Sequence, residues 1–151
     1  MSHTPLHTSL SELLALLRAV HWNAWVTHWR ASGRDSYGDH LLFQRIYEGS
    51  GGGPDIAEEI DGLGERMLAM YGQEAVDAVA VQQRSTALLK DVQRLSCIDR
   101  ALKLESLLLL EAVRAVKLCG DTGLALDNFL RNLADERSTV VYLLRQRIRK
   151  E

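Results

Sequence analysis

Two histidines and two carboxylates stand out in this chain because their types and spacing suit metal chemistry. His28 and His40 lie twelve residues apart, and Asp61 and Glu65 follow at positions i and i+4. Imidazole nitrogens and carboxylate oxygens are ligands that first-row divalent metals such as iron accept. A metal with open positions can bind an oxidant, and carboxylates balance the charge gained on oxidation. The four residues suit a site that binds and oxidises iron(II), with zinc as a candidate occupant at rest.

The elements that must position these side chains are helices. The chain has 151 residues and only two prolines, and its apolar residues recur every three or four positions. We expect a single domain over residues 1–151, long enough to bury a core without disulfides. The predicted fold is an all-α four-helix bundle with a short extra helix in the crossover between the second and third long helices.

Capping residues and glycines set the predicted helix boundaries. The first helix is predicted to begin at Ser9, with Glu12 closing a capping box, which leaves residues 1–8 as a flexible tail. The second begins near residue 35 or 36 and is interrupted by the glycine-rich insertion 49–54, because glycine and proline disfavour a continuous helix. Further helical segments are predicted at 55–70, at 74–87, from 88 or 97 to 118, and from 121 or 122 to 149.

His21 lies seven residues before His28 and therefore on nearly the same face of the first helix. The apolar residues of that helix share this face: Leu10, Leu13, Leu14, Leu17, Ala24 and Trp25. His21 is thus an additional ligand, a supporting residue beside the ligands, or a packed core residue. Spacing alone does not establish that His28, His40, Asp61 and Glu65 bind a metal. Histidines on apolar helix faces usually pack in the core, and Asp or Glu residues are usually solvated.

The charge and composition of the chain limit the kinds of partner and cellular compartment that are expected. The net charge of −2 and the lack of Lys and Arg in the N-terminal tail argue against DNA binding, which rests on clustered basic side chains. The basic residues at 145–150 suit a solvated helix end that complements the helix dipole. Cys97 and Cys119 lack metal-binding spacing, which favours a reducing, cytoplasmic compartment. No segment approaches the roughly 20 consecutive apolar residues of a membrane span.

Four motifs together make the chain resemble the Dps family, the miniferritins of the ferritin-like superfamily. Residues 28–33 (HWRASG), with His40 beyond them, are similar to a His-Trp, a Gly turn and a second His early in the next helix. Residues 61–67 (DGLGERM) resemble the D-x-x-x-E-R segment of the second helix. Residues 120–126 (GDTGLAL) and 141–145 (VYLLR) resemble the last turn and the closing helix. The resemblance covers about residues 10–148.

This resemblance implies a ferritin-like bundle that assembles into a shell of twelve subunits. Such a protein oxidises iron(II) with hydrogen peroxide or oxygen, and it stores the ferric product as protection against oxidative stress. The resemblance places the metal site at a two-fold interface, with His28 and His40 from one subunit and Asp61 and Glu65 from its neighbour. Trp29 matches an aromatic residue that can quench radicals, with interface packing as its alternative role.

Candidate additional ligands and rival functions remain open from the sequence. Gln44 and Glu48 follow His40 by one and two turns and are candidate ligands. Glu105 lies opposite the polar face of its helix, which allows a diiron site inside one bundle, built with Glu58, Asp61 and Glu65. The Glu-x-x-His pairs of such sites are absent. A ferritin-like bundle with a degraded site, acting as a non-enzymatic assembly or partner-binding protein, is the main alternative function.

Overall fold

Six α-helices make up the described part of the chain. The computed structural model describes residues 4–30, 36–48, 55–120 and 123–149, without the side chains of residues 36, 37 and 47. The helices are α1 (Pro5–Arg30), α2 (Ser36–Glu48), α3 (Ile56–Tyr71), α4 (Ala78–Val92), α5 (Cys97–Cys119) and α6 (Leu124–Arg149).

The helices pack as a bundle around α1 and α5. α5 packs on α6 and on α1, and α1 also contacts α2, α3 and α4. α2 and α3 occupy the place of the predicted second helix in two segments, and the short α4 lies in the crossover to α5. This confirms the all-α bundle with an extra crossover helix. The predicted insertion at 49–54 falls outside the described residues.

The core of the bundle is aliphatic, because each long helix turns a leucine-rich stripe inward. Full burial of one such side chain contributes about 1.5–3 kcal/mol. The completely buried leucines come from four helices: Leu10, Leu13 and Leu17 of α1, Leu63 of α3, Leu104 and Leu108 of α5, and Leu130 and Leu144 of α6. This shared core fixes how α1, α3, α5 and α6 face one another, and therefore where polar side chains on these helices meet.

α1 begins earlier than the sequence predicts. The Thr4 hydroxyl accepts a hydrogen bond from the backbone N–H of His7 at 3.1 Å, and Pro5 suits the first helical turn, where its missing N–H costs nothing. Leu6 and His7 are buried. The predicted start at Ser9 is therefore wrong, and residues 5–8, expected in a flexible tail, belong to the helix.

The predicted capping box is also wrong, because both of its side chains have other partners. The Ser9 hydroxyl donates to Glu111 of α5 at 2.7 Å. The Glu12 carboxylate pairs with Arg84 of α4 at 2.9 Å. Both residues lie inside α1 and tie it to the helices beside it.

Later helix starts follow capping side chains more closely. Asp55 accepts a hydrogen bond from the N–H of Glu58 at 2.7 Å and caps α3. Asp77 caps α4, which therefore begins at residue 78 rather than at 74 and extends to residue 92 rather than to 87. Ser96 caps α5. Of the two predicted starts for this helix, 88 and 97, the second is therefore the observed one. The predicted caps of the last helix, residues 121 and 122, lie outside the described residues, and α6 begins at Leu124.

None of the helices in the described residues is long and apolar enough to cross a membrane.

Candidate metal centre

His28, near the end of α1, and His40, early in α2, meet where these two helices pack together. Their Nε2 atoms lie 2.9 Å apart, and their ring centroids are 3.8 Å apart. The Nδ1 atom of His40 lies 3.3 Å from the backbone carbonyl oxygen of His28 and donates its hydrogen to it. The Nε2 atom of a neutral His40 therefore carries a lone pair, which accepts the hydrogen bond from Nε2 of His28. A hydrogen bond to a backbone carbonyl orients histidines that bind metals. The structure thus brings together two side chains that are twelve residues apart.

The surroundings of His28 keep its ring in the form that binds metals. Burial and the neighbouring His40 lower the pKa of His28, and the carboxylate of Glu48 opposes them only in part. A lowered pKa leaves the imidazole neutral at pH 7, with a lone pair on one ring nitrogen. Metal binding requires this neutral form.

α2 carries the two candidate additional ligands on successive turns after His40. The Gln44 side-chain amide donates to the Glu48 carboxylate at 3.1 Å, and Glu48 is close enough to act on the pKa of His28. Asp39, beside His40 in the chain, pairs with Arg147 of α6 at 3.0 Å. That ion pair fixes α2 against the end of α6, so that His40 and Glu48 are presented on a positioned helix.

Asp61 and Glu65 form a separate pair on α3. Both are exposed, whereas Leu63 and Met67 of the same helix are buried. Arg66 does not neutralise this pair in the structure, because its guanidinium donates to the Gly62 carbonyl at 3.0 Å and lies over the Phe129 ring. The two carboxylates therefore face outward on one helix surface, one turn apart.

A single chain does not assemble the four predicted ligands. Within residues 4–30, 36–48, 55–120 and 123–149, no three His, Cys, Asp or Glu side chains are grouped so that they could hold a metal ion. The structure joins His28 to His40 and leaves Asp61 and Glu65 as a second, separate pair. We call these two pairs half-sites, after the intersubunit metal site that the resemblance predicts.

His21 is not brought to the histidine pair. It lies two helical turns before His28, which is roughly 10 Å along the axis. It lines a cleft with Arg18, Ile60 and Ser85. Burial lowers the pKa of His21, with Asp55 opposing. Its position favours a packing role over that of an additional ligand.

Trp29 belongs to an exposed aromatic cluster on α1 that the sequence analysis did not single out as a unit. Trp22, Trp25 and Trp29 are 49%, 38% and 57% exposed. Their ring centroids lie 5.2–6.2 Å apart, within the range of favourable aromatic contacts. The spacing i, i+3 and i+7, which places residues on one helix face, was the pattern that could have identified it. This Trp cluster lies beside His28 on α1.

Glu105 occupies the bundle interior but does not meet the residues predicted for a diiron site. Its carboxylate accepts a hydrogen bond from the guanidinium of Arg137 at 3.0 Å, and both side chains are 1% exposed. Glu59 is the α3 carboxylate that is buried, whereas Glu58, Asp61 and Glu65 are exposed. The predicted combination of Glu105 with those three is therefore wrong, because they lie on the outer face of α3.

We expect the melting temperature of the protein to fall as the pH rises from 5 to 9. Burial, opposed by Arg137, raises the pKa of Glu105 to about 7 from 4.5, and burial with the nearby Glu136 raises that of Glu59 to about 9. Between pH 4.5 and these values the folded chain holds more protons than the unfolded chain. In this range each such group therefore lowers the free energy of unfolding by roughly 1 kcal/mol for every unit by which the pH rises.

Melting curves at pH 5, 7 and 9 check this trend. Glu105→Gln removes one of the groups and should flatten the decrease between pH 5 and 7. Glu74→Gln, at an exposed position, is the matched control and should keep the wild-type slope. A melting temperature that is constant or increases from pH 5 to 9 would contradict the expectation.

Comparison with solved structures shows that this fold is that of Dps proteins. Dps from Thermosynechococcus elongatus has a TM-score of 0.75 and 20% identity, over 95% of this chain and 89% of that chain. A DPS protein from Vibrio cholerae O1, described as a member of a broad superfamily of ferritin-like diiron-carboxylate proteins, has a TM-score of 0.73 and 20% identity, over 95% and 88%. A Dps1 mutant from Mycobacterium smegmatis has a TM-score of 0.71 and 13% identity, over 94% and 93%.

No protein-family model matches the sequence, and no curated protein matches it significantly. At 13–20% identity, the structural likeness establishes the ferritin-like fold. The resemblance inferred from the sequence motifs is confirmed at that level.

Proposed function

We propose that the protein oxidises iron(II) and stores the ferric product, as a shell-forming protein of Dps type. Its site is completed between two subunits, with His28 and His40 of one chain facing Asp61 and Glu65 of the next. The convergence of the two histidine rings, with Nε2 atoms 2.9 Å apart, is the observation that carries the proposal. The fold shared with Dps proteins supports it.

The histidine pair suits an iron ion. Two nitrogens bound to one ion at about 2.1 Å, in adjacent positions at right angles, are separated by about 3.0 Å, which is close to the 2.9 Å found here. A bound ion would replace the hydrogen that the two Nε2 atoms share. His28 is held neutral by its surroundings, and the ring of His40 is oriented by its hydrogen bond to the His28 carbonyl. The pair therefore supplies two nitrogen ligands and leaves the remaining positions to other groups.

The acidic pair supplies what the histidine pair lacks. Neutral imidazoles do not compensate the charge of iron, whereas the carboxylates of Asp61 and Glu65 balance it and bind the oxidised ion more strongly than the reduced one. Iron is the substrate here. Two iron(II) ions each give one electron to a hydrogen peroxide molecule, which takes up two protons and leaves as two waters. The ferric ions then hydrolyse to mineral.

The exposed Trp cluster supports assembly beside the site. Trp22, Trp25 and Trp29 present a large aromatic surface on α1 next to His28, and buried aromatic side chains contribute strongly to protein interfaces. In the proposed dimer this surface packs against the neighbouring subunit, and Trp29 is available to quench radicals. Six such dimers complete a shell of twelve subunits, in which ferric mineral collects.

The same proposal places the protein in the cytoplasm and assigns it no direct binding to DNA. Cys97 and Cys119 form no disulfide, which suits a reducing compartment. In the basic C-terminal part of α6, Arg147 is engaged by Asp39. Together with the net charge of −2, this ion pair reduces the positive charge that the end of α6 offers to a polyanion.

The proposal is tested by mixing purified protein with iron(II) and hydrogen peroxide and following ferric absorbance. His28→Ala and Asp61→Ala should each slow the initial rate by tenfold or more, since removing groups at a metal site costs about that factor or more. Glu58→Ala, at an exposed position on the same helix as Asp61, is the control and should retain the wild-type rate. Elemental analysis after loading should give one or two irons per subunit.

Equal rates in all variants, with no more than trace iron bound after loading, would contradict the proposal. That result would favour the alternative function, a ferritin-like bundle used for assembly or partner binding without iron chemistry. Gln44 at the position one turn after His40 is the feature that favours this alternative, because an amide is a weaker metal ligand than a carboxylate.

A further inference from the structure

Three helices direct acidic side chains toward one guanidinium inside the bundle. Glu105 of α5 lies 3.0 Å from Arg137 of α6, and Glu136 of α6 lies 3.4 Å from it. Glu59 of α3, which is 3% exposed, is near enough to raise the pKa of the same guanidinium. We call Glu59, Glu105, Glu136 and Arg137 the interior cluster. Burial alone would lower the pKa of Arg137, but these carboxylates outweigh it and raise that pKa.

Part of the hydrogen-bonding capacity of the interior cluster is unused. Among the described residues, both oxygens of Glu59, one oxygen of Glu105 and the Nε atom of Arg137 are buried without a hydrogen-bond partner. Buried polar groups are rarely left in this state, because each has lost its hydrogen bonds to water and gained none in return. The unsatisfied oxygens belong to carboxyl groups on two different helices, α3 and α5, and carboxylate oxygens are ligands that divalent cations accept.

The interior cluster nevertheless does not fit a diiron centre. In ferritin-like diiron proteins, inward-facing carboxylates on the bundle helices are combined with Glu-x-x-His pairs. Here the third residue after Glu59 is Gly62, the third after Glu105 is Leu108, and the third after Glu136 is Thr139. The described side chains of the cluster also do not group as a metal site. A guanidinium occupies the place among the carboxylates instead.

We propose that Arg137 excludes divalent metal ions from the bundle interior and thereby confines iron to the exposed half-sites. The guanidinium is attached to α6, so it stays beside Glu105 and cannot exchange with ions from solution. Its positive charge repels a second cation strongly in a buried, weakly screened environment. Its planar shape and its five N–H donors suit carboxylates, which makes arginine effective in buried ion pairs. Arg137 is thus a residue that determines where metal binds.

Replacement of Arg137 by a neutral side chain of similar length should open the interior cluster to a divalent ion. The test measures thermal stability with and without Mn²⁺ in proteins that also carry His28→Ala and Asp61→Ala, so that the half-sites do not contribute. With Arg137→Met we expect the melting temperature to rise by about 5 °C or more once Mn²⁺ reaches a hundredfold excess over its Kd. The parent protein, with Arg137 intact, should not respond.

Two further variants separate charge from packing. Arg137→Lys keeps a positive charge and should remain insensitive to Mn²⁺. Arg137→Met combined with Glu59→Gln and Glu105→Gln removes the carboxylates and should also show no response. Arg137→Gln serves as a second neutral variant in case Arg137→Met does not fold without metal. Folding that requires Mn²⁺, followed by circular dichroism, would then support the proposal.

The proposal is overturned if neither Arg137→Met nor Arg137→Gln gains stability or folding from Mn²⁺. It is equally overturned if the parent protein with Arg137 responds as strongly as the variants. The exclusion of metal from the interior rests on the proposed function only in naming iron as the excluded ion. Because the half-sites are disabled in every protein compared, a failure here is distinct from a failure of iron oxidation at the surface.

Discussion

A one-to-one mixture of the His28→Ala and Asp61→Ala proteins, unfolded and refolded together, is expected to recover about one quarter of the wild-type iron-oxidising sites. Each variant alone should have no more than about a tenth of the wild-type rate. The structure separates the histidine pair from the acidic pair within one chain, so each variant damages only one type of half-site. In a mixed two-fold dimer, the intact histidine pair of one chain meets the intact acidic pair of the other.

The fraction follows from the symmetry of the dimer. Random pairing makes half of the dimers mixed, and each mixed dimer has one intact site and one site damaged on both sides. The measurement is the initial rate of ferric absorbance after size-exclusion chromatography has confirmed equal assembly. A mixture of His28→Ala with His40→Ala is the control and should keep the low rate of the single variants, since both changes damage the same half-site. Loss of all activity in the first mixture would mean that the site forms within one chain.

The periodicity of the sequence was sufficient to predict the helical bundle. The apolar repeat of α1 and the interruption before α3 gave the order of the helices, and both are local patterns. The meeting of His28 with His40 followed from a resemblance of motifs, and the structure confirms their contact. Their role as metal ligands, and that of Asp61 and Glu65, stays a prediction.

The interior cluster was harder to predict because it breaks a statistical rule. Charged residues are almost never fully buried unless they are paired, and the pairing partners of Arg137 come from helices distant in the sequence. A local indication existed, since Arg137 stands between Leu133 and Val140 on the apolar stripe of α6. Glu59 has Ile56 and Leu63 at similar spacing on α3. Read together with Glu105, these positions predict a buried charged group, although not its geometry.

The start of α1 shows a different limit. Ser9 and Glu12 fit a capping box by residue type, but a capping residue is only needed where the helix begins. Burial of Leu6 and His7 against the rest of the bundle stabilises an extra turn, and Thr4 then provides the cap. Both Thr4 and Ser9 are suitable capping residues by type, and packing against the rest of the bundle determines that the helix begins after Thr4.

Glu105→Ala is expected to lower the free energy of unfolding by about 3–5 kcal/mol, the usual cost of removing one partner of a buried ion pair. Glu105 and Arg137 are each 1% exposed, so water cannot replace the lost carboxylate. The guanidinium keeps its charge because its pKa is raised by the surrounding carboxylates. Urea denaturation followed by circular dichroism gives the free energy at pH 8, where Glu105 is mostly ionised.

Asp127→Ala is the matched control for this loss. Asp127 pairs with Arg131 on α6 at 2.9 Å, but the arginine is 63% exposed, and such surface pairs contribute about 1 kcal/mol or less. The double change Glu105→Leu with Arg137→Met should recover most of the stability, because apolar groups can replace a buried pair at little cost. If Glu105→Ala loses no more than Asp127→Ala, then Glu59 and Glu136 suffice to hold Arg137. In that case any one of the three carboxylates could be lost, and the other two would still stabilise the guanidinium of Arg137.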